Sequence, residues 1–406
     1  MELTHATSTA LAGIKGITID PAQLETHEMR PANVLGVTSY RGEDAGVVVS
    51  DQLAGPATKH LDVPAFGAAL HAALKDSVTG YVMQLKKNGT VIQTLQWNWA
   101  QTPADGNFGW TPNCQMHVAS VSKVITAMAM ARIMKEHPSI TPDTPIVGFL
   151  PAYWFKGANI AKITFRHLMT HTSGFATVSG ETDFETMRLH VLLGVSTDPG
   201  APAHLGGYRY ENMNFGLLRI LIAIINGNVD KNAILTDSAW DLVTILGYSM
   251  YVATRVFAPA GVTGATLDHN DAMALAYYFP PSGEGWNSGS LITVSGGAGW
   301  HVSVHELLKL MGAFRRSGTI IPVDKAQAML DSGFGIDVIQ DTPAGRLYIK
   351  NGLWRNGGSV IARVEQALAF FLPESMELAV FANSYVGIPP QSFREVVKNT
   401  YLNHLK

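Results

Sequence analysis

Ser120 and Lys123 stand three residues apart at the start of the apolar segment SVSKVITAMAMARIM. On a helix that spacing projects both side chains from one face, over the first turn. The helix amino terminus favours negative charge developing on the serine oxygen, and its free N–H groups can bind an oxyanion. A lysine at the edge of an otherwise apolar helix is partly desolvated, which lowers its pKa toward the range of a general base. A serine beside a base is the minimum for an acyl-transfer nucleophile. Ser-x-x-Lys also arises by chance in long chains, with the serine as a helix cap and the lysine in solvent.

Rival constellations are thin. His301 with His305, and His167 with His171, are each four apart and could face one metal from a helix. Neither pair is His-Glu-x-x-His and no third ligand is evident, so packed or solvated histidines are the simpler reading. The chain carries no Gly-x-Ser-x-Gly elbow and no Walker A loop, which leaves the α/β-hydrolase and phosphate-loop readings without an anchor. Cys114 is the only cysteine. It excludes an intrachain disulfide or a thiolate metal cluster and reads as a small buried apolar residue. Trp97, Trp99 and Trp110 could line an acyl pocket, with packing as their default role.

The elements that must position the serine follow from the patterning. Residues 1–75 read as an amino-terminal extension wrapping a main body that spans 76–406. YVMQLKKNGTVIQTLQWNWA is two β-rich runs joined by Asn88-Gly89, a dipeptide suited to the positive φ angles of a tight hairpin. The run from Val124 to Met134 is apolar on nearly every face, so the helix belongs in the middle of the protein, ending at Pro138. Helical patterns mixed with Pro/Gly-rich loops fill the middle of the chain, among them NFGLLRILIAIING and the segment from Trp240 to Phe257. A helix is expected from Val304 to Arg316, then strands at Gly345–Lys350, Ala367–Leu372 and Leu378–Ala382, and a helical tail in SFREVVKNTYLNHL. Strands at both ends imply one antiparallel sheet with a mostly helical lobe inserted. The expected fold class is mixed α/β (α+β), with an α/β lobe at 76–137 and 287–406 and a helical lobe at 138–286. The cleft between such lobes is where small-molecule sites tend to lie.

With 406 residues, 47% of them hydrophobic and 15% charged, the chain can bury a large core. A net charge of -3 and the absence of a Lys/Arg-dense segment argue against a nucleic-acid partner. The most apolar run, Leu217 to Ile225, is broken by Arg219 and falls short of the ~20 residues of a membrane helix. The amino end lacks the basic start and apolar core of a secretory signal, which implies a cytoplasmic protein or an exported one whose signal has been removed.

HVASVSKVITAMAMARIM, followed by ITFRHLMTHTSGF, resembles the serine β-lactamase-like superfamily of penicillin-binding proteins, class C β-lactamases and related esterases. The order hairpin, Ser-x-x-Lys helix and a segment close to Leu-x-Thr-His-Thr-Ser-Gly is similar to that family, with Ser120 and Ser173 at the matching places. The resemblance implies that Tyr210-Glu211-Asn212 is the family's Tyr-x-Asn motif. Tyr210 would then exchange a proton with Ser120 if Lys123 keeps it near its phenolate form, and Asn212 would hold Lys123 and a substrate carbonyl. The family's third motif, Lys/His-Ser/Thr-Gly on a strand, is best matched by Lys350-Asn351-Gly352, with Asn356-Gly357-Gly358 as the competing alignment. Asn351 replaces the usual hydroxyl residue, which puts binding of a penicillin-like carboxylate in doubt. Gly296-Gly297-Ala298-Gly299 and the closing FLPESMELAVFANS are further echoes.

The expected activity is that of a serine hydrolase working through a Ser120 acyl-enzyme on small ester, amide or β-lactam substrates. Lys123 and Tyr210 would share the acid/base work, and the N–H groups of Ser120 and Leu353 would hold the oxyanion. A carboxylesterase is favoured because of Asn351. A β-lactamase or D-amino-acid peptidase, an acyltransferase of specialised metabolism, and a covalently acylated sensor are the alternatives. No cofactor or metal is implied, and oligomeric state stays open.

Overall fold

The computed structural model describes residues 48–49, 58–176, 182–358 and 361–406. In chain order, β1 (Val48–Val49) precedes α1 (Val63–Leu74), the hairpin β2 (Gly80–Lys87) and β3 (Thr90–Gln101), and the short β4 (Phe108–Gly109) and β5 (Gln115–His117). After a 3-10 turn at Ala119–Val121 come α2 (Ser122–Glu136), α3 (Phe165–Met169), α4 (Phe184–Leu193), α5 (Asn212–Ile225) and α6 (Asp237–Val252). β6 (His301–Ser303), α7 (Val304–Gly312), α8 (Val323–Asp331), β7 (Val338–Thr342), β8 (Gly345–Gly357), β9 (Ala362–Leu372), β10 (Met376–Ala382) and α9 (Phe393–Asn403) complete the strands and α-helices among the described residues.

Among the described residues the main sheet has the order β1-β7-β8-β9-β10-β2-β3-β4, antiparallel except for the β1–β7 pair. β10 pairs with β2, so the last strand of the chain meets the first hairpin, as the strand-rich ends of the sequence lead one to expect. Asn88 and Gly89 turn that hairpin with φ of 51° and 85°. Positive φ at both central positions matches the turn to the strand twist. β2 and β10 are buried along nearly their whole length, as central strands covered on both faces must be.

Strand alternation then separates two cores. On β9, Leu368, Phe370 and Leu372 face a layer holding Phe66 and Leu70 of α1 and Val397 and Tyr401 of α9. Ala367, Ala369 and Phe371 face the larger core that contains α2, α5 and α6. α1 falls inside the expected extension of 1–75, yet Phe66, Leu70 and Leu74 are fully buried. Packing on the sheet therefore begins before the hairpin. The rest of the expected wrapping segment, 1–47 and 50–57, lies outside the described residues.

α2 is buried at every position from Ser122 to Met130, as its all-round apolarity requires. The helical stretch Asp237–Ala260 is long and apolar enough to cross a membrane, at mean hydropathy 1.2, but half of that window is buried in the fold. Trp240, Val243, Tyr248 and Tyr251 place it in the core.

Phe370 is fully buried between the sheet and its α1/α9 layer, on the face turned away from the α2 core. Phe370→Ala should therefore cost about 3–5 kcal/mol in denaturant unfolding. Acylation by the folded fraction should be unaffected.

Candidate active site

The nucleophile turn is held from two sides. β5 pairs with β6, and Val118 N–H donates to Trp300 O at 2.9 Å, which ties the residues before Ser120 to those after the glycine run 296–299. Ala119 has φ of 47°, a left-handed conformation that costs a non-glycine residue about 1–3 kcal/mol and that clusters at active sites. Ser120 follows at the head of α2, half-buried, and Lys123 lies one residue inside it, fully buried.

Lys123 Nζ lies 3.0 Å from Ser120 Oγ, 2.8 Å from Asn212 Oδ1 and 2.7 Å from Gly297 O. Asn212 opens α5 and Gly297 belongs to the glycine run, so three separate segments converge on one amine. Burial pushes Lys123 well below the ordinary lysine range; the Lys350 charge acts in the same direction and Asp337 opposes it. The partial desolvation expected from sequence is thus complete.

Tyr210 O–H donates to Ser120 Oγ at 2.6 Å. Burial, and then the Asp337 charge, push Tyr210 well above the ordinary tyrosine range. That direction runs against the expected near-phenolate, because it favours the phenol as donor to Ser120. Its position comes from His171, which stacks on the ring with centroids 4.3 Å apart. His171 O accepts from Arg209 N–H at 2.8 Å, and its Nδ1 accepts from Glu211 N–H at 3.2 Å. His171 thereby brackets Tyr210 on both sides and holds a left-handed φ of 57° to do so.

β8 supplies the opposite wall. β7 pairs only with Gly345–Ile349, so from Lys350 onward that edge of β8 is open to the nucleophile turn. A Cβ on Gly352 would lie 2.2 Å from Val118 O, closer than any side chain tolerates, and 3.2 Å from Val121 N. Lys350, buried, forms an ion pair with Asp337, and its Nζ lies 5.2 Å from the centroid of the Tyr210 ring. Asn351 N–H donates to the other oxygen of Asp337 at 2.9 Å. Strand amides alternate sides, so the Leu353 N–H shares that open edge. Asn356 and Gly357 lie at the far end of β8, where Gly357 is exposed. The structure thus brings Gly352 against the turn that carries Ser120 and Lys350 beside the Tyr210 ring, whereas 356–358 lie farther along the chain, at the end of β8.

The rival candidates do other work. Ser173 is buried and donates to Asn214 Oδ1 at 2.6 Å, and Ser303 caps α7. His167 completes the cap of α3, and His301 lies on β6 while His305 lies on α7. Among the described residues no group of three or more His, Cys, Asp or Glu could hold a metal ion. Trp110 is buried in the main core and Trp97 packs with the α1/α9 layer, whereas the tryptophans clustered with Ala119 are Trp354 and the partly buried Trp286. Asp337, the Gly297 carbonyl and the role of His171 are functional features that sequence reasoning missed.

The family model described as beta-lactamase matches residues 68–362. The chain belongs to the beta-lactamase family. It is a serine hydrolase of the β-lactamase and penicillin-binding-protein kind. Solved structures share the fold at low identity. FmtA from Staphylococcus aureus is 14% identical with a TM-score of 0.63, over 90% of this chain and 92% of that one. A class C beta lactamase from Rhodobacter sphaeroides is 16% identical with a TM-score of 0.60, over 84% and 99%. The D-amino acid amidase from Ochrobactrum anthropi is 18% identical with a TM-score of 0.58, over 82% and 96%.

Gly352→Ala should displace β8 from the nucleophile turn, because the atoms its Cβ meets are backbone and cannot rotate away. A misplacement of this kind costs on the order of 10²-fold in rate. Asn356→Ala should keep near-normal acylation, measured by stopped-flow with an activated ester. The opposite ranking would place the oxyanion site at 356–358.

Proposed function

We propose that this beta-lactamase-family chain is a carboxylesterase for uncharged esters, acting through a Ser120 acyl-enzyme with Lys123 as base. The observation that carries this reading is the set of three partners around Lys123 Nζ. A neutral amine has two N–H donors and one lone pair. Asn212 Oδ1 and Gly297 O can only accept, so they take both N–H groups and leave the lone pair facing the Ser120 hydroxyl.

Lys123 takes the Ser120 proton as Oγ attacks the ester carbonyl carbon, and the N–H groups of Ser120 and Leu353 hold the oxyanion. Collapse breaks the bond to the alkoxy oxygen. The proton taken from Ser120 passes to that oxygen through Lys123 and Tyr210, which titrate as one unit. Water then attacks the acyl-enzyme by the same route in reverse and regenerates Ser120.

The electrostatics favour uncharged substrates. Lys350, the cation that a substrate carboxylate would meet, is already paired with Asp337, and residue 351 brings an amide in place of a hydroxyl. A carboxylate would have to approach a pair without net charge and lose its hydration on the way.

A fluorophosphonate probe followed by peptide mass spectrometry should label Ser120, and Ser120→Ala should abolish both labelling and ester turnover. Lys123→Ala and Tyr210→Phe should each slow turnover by about 10²-fold or more without multiplying in the double variant. Labelling at Ser173 or Ser303 would defeat the reading.

The charge argument has its own test. Asp337→Asn leaves Lys350 uncompensated and should raise kcat/KM for carboxylate-bearing esters over neutral ones by about tenfold, as one unscreened charge close to the substrate would. An unchanged ratio would remove Asp337 from substrate selection.

A further inference from the structure

The reading above requires Lys123 to hold its lone pair toward Ser120, and one of the two acceptors that orient it is a backbone carbonyl. Gly297 O sits in a turn where Gly296 and Gly299 adopt φ of 91° and 101°. Gly299 N–H donates to His117 Nε2 at 3.1 Å, and His301 Nδ1 lies 3.0 Å from Gly299 O. His117 is the last residue of β5, three positions before Ser120, and is completely buried.

An imidazole that accepts at Nε2 must carry its proton on Nδ1. His117 Nδ1 lies 3.1 Å from Glu365 Oε2, on β9, and Glu365 is completely buried too. The mechanism proposed above uses neither residue. The other tautomer would set an Nε2–H against the Gly299 N–H, replacing a hydrogen bond by two facing donors in a buried place.

We propose that Glu365 and His117 are positioning residues for the base. Glu365 fixes the Nδ1–H tautomer of His117, and His117 holds the glycine turn whose Gly297 carbonyl orients Lys123. The surroundings suit that task. His301 from β6 lies 5.3 Å from the His117 ring, Trp354 from β8 lies edge-on at 5.2 Å, and His269 lies 6.0 Å from His301. Burial, and then the nearby His269, hold His117 down to about 3, so it stays neutral. Burial raises Glu365 to about 8, while His269 and Ser288 pull the other way. Oε2 accepts from His117 in either state of Glu365 when the acid proton resides on Oε1, which faces Ser288 Oγ at 3.5 Å.

The inference rests on the Ser120 and Lys123 reading, and saturation kinetics of fluorophosphonate labelling on the full chain separates the two. His117→Phe and Glu365→Leu should each lower the maximal labelling rate by about tenfold or more, with the half-saturating concentration unchanged. Glu365→Gln, whose amide oxygen can accept from Nδ1–H, should recover most of the rate. The double variant His117→Phe/Glu365→Leu should be no slower than His117→Phe. Wild-type labelling rates in His117→Phe, equal losses in Glu365→Gln and Glu365→Leu, or a loss confined to half-saturation would each overturn the inference. An unlabelled Ser120 in the wild type would overturn the hydrolase reading and this inference with it. Imidazole nitrogen shifts of the wild-type protein test the tautomer independently of any variant's folding. They should show Nδ1 protonated and Nε2 not, and a protonated Nε2 would overturn the proposal.

Discussion

Lys123 buries an amine in the middle of the fold, and among the described residues its hydrogen-bond partners are a hydroxyl, an amide oxygen and a backbone carbonyl. A charged ammonium in such a place would carry a large desolvation cost. The neutral form is tolerable only if its two N–H groups find acceptors and its lone pair finds a donor. Much of the surrounding architecture meets that requirement. The head of α5 brings Asn212, the glycine run brings Gly297, and the head of α2 brings Ser120. The sheet supplies the rigid frame: β8 presses against the nucleophile turn where Gly352 has no side chain, and β5–β6 ties that turn to the glycine run.

Two of the non-glycine residues with left-handed backbone flank the site, Ala119 before Ser120 and His171 beneath Tyr210. The surrounding packing has to outweigh that strain, and it occurs where the two hydroxyls must meet at 2.6 Å. Burial acts in opposite directions on the two groups that flank Ser120. It lowers the amine and raises the phenol, so each is pushed toward its uncharged form beside the Ser120 hydroxyl. The charges that remain close by, Lys350 and Asp337, neutralise each other.

The parts legible in the sequence are those that local chemistry writes into short segments. Asn88-Gly89 announces its turn, the apolar run after Lys123 announces a buried helix, and Ser120, Lys123, Tyr210 and Asn212 lie in short motifs with fixed spacing. Lys350 and Gly352 were harder to place, because β8 is thirteen residues long and two glycine-bearing segments lie on it. Contact with Val118, which a sequence does not display, separates them. Asp337, His117 and Glu365 act through tertiary contacts between distant segments that no motif spacing marks, and His171 and Gly297, although they lie in recognisable segments, take their roles from contacts of the same kind. α1 was overlooked for a related reason. Its buried residues Phe66, Leu70 and Leu74 follow helical spacing, but the Ala and Gly residues between them dilute the pattern.

The protonation state of Lys123 is the point on which the whole account turns, and it can be measured without substrate. Carbon-detected NMR of the Lys123 Cε, assigned by comparison with Lys123→Arg, reports the titration of that one amine. The account predicts a midpoint well below the ordinary lysine range, with the neutral form present at neutral pH. A Lys123 that remains an ammonium up to pH ~10, as an unperturbed lysine does, would contradict it and transfer the role of base to another group.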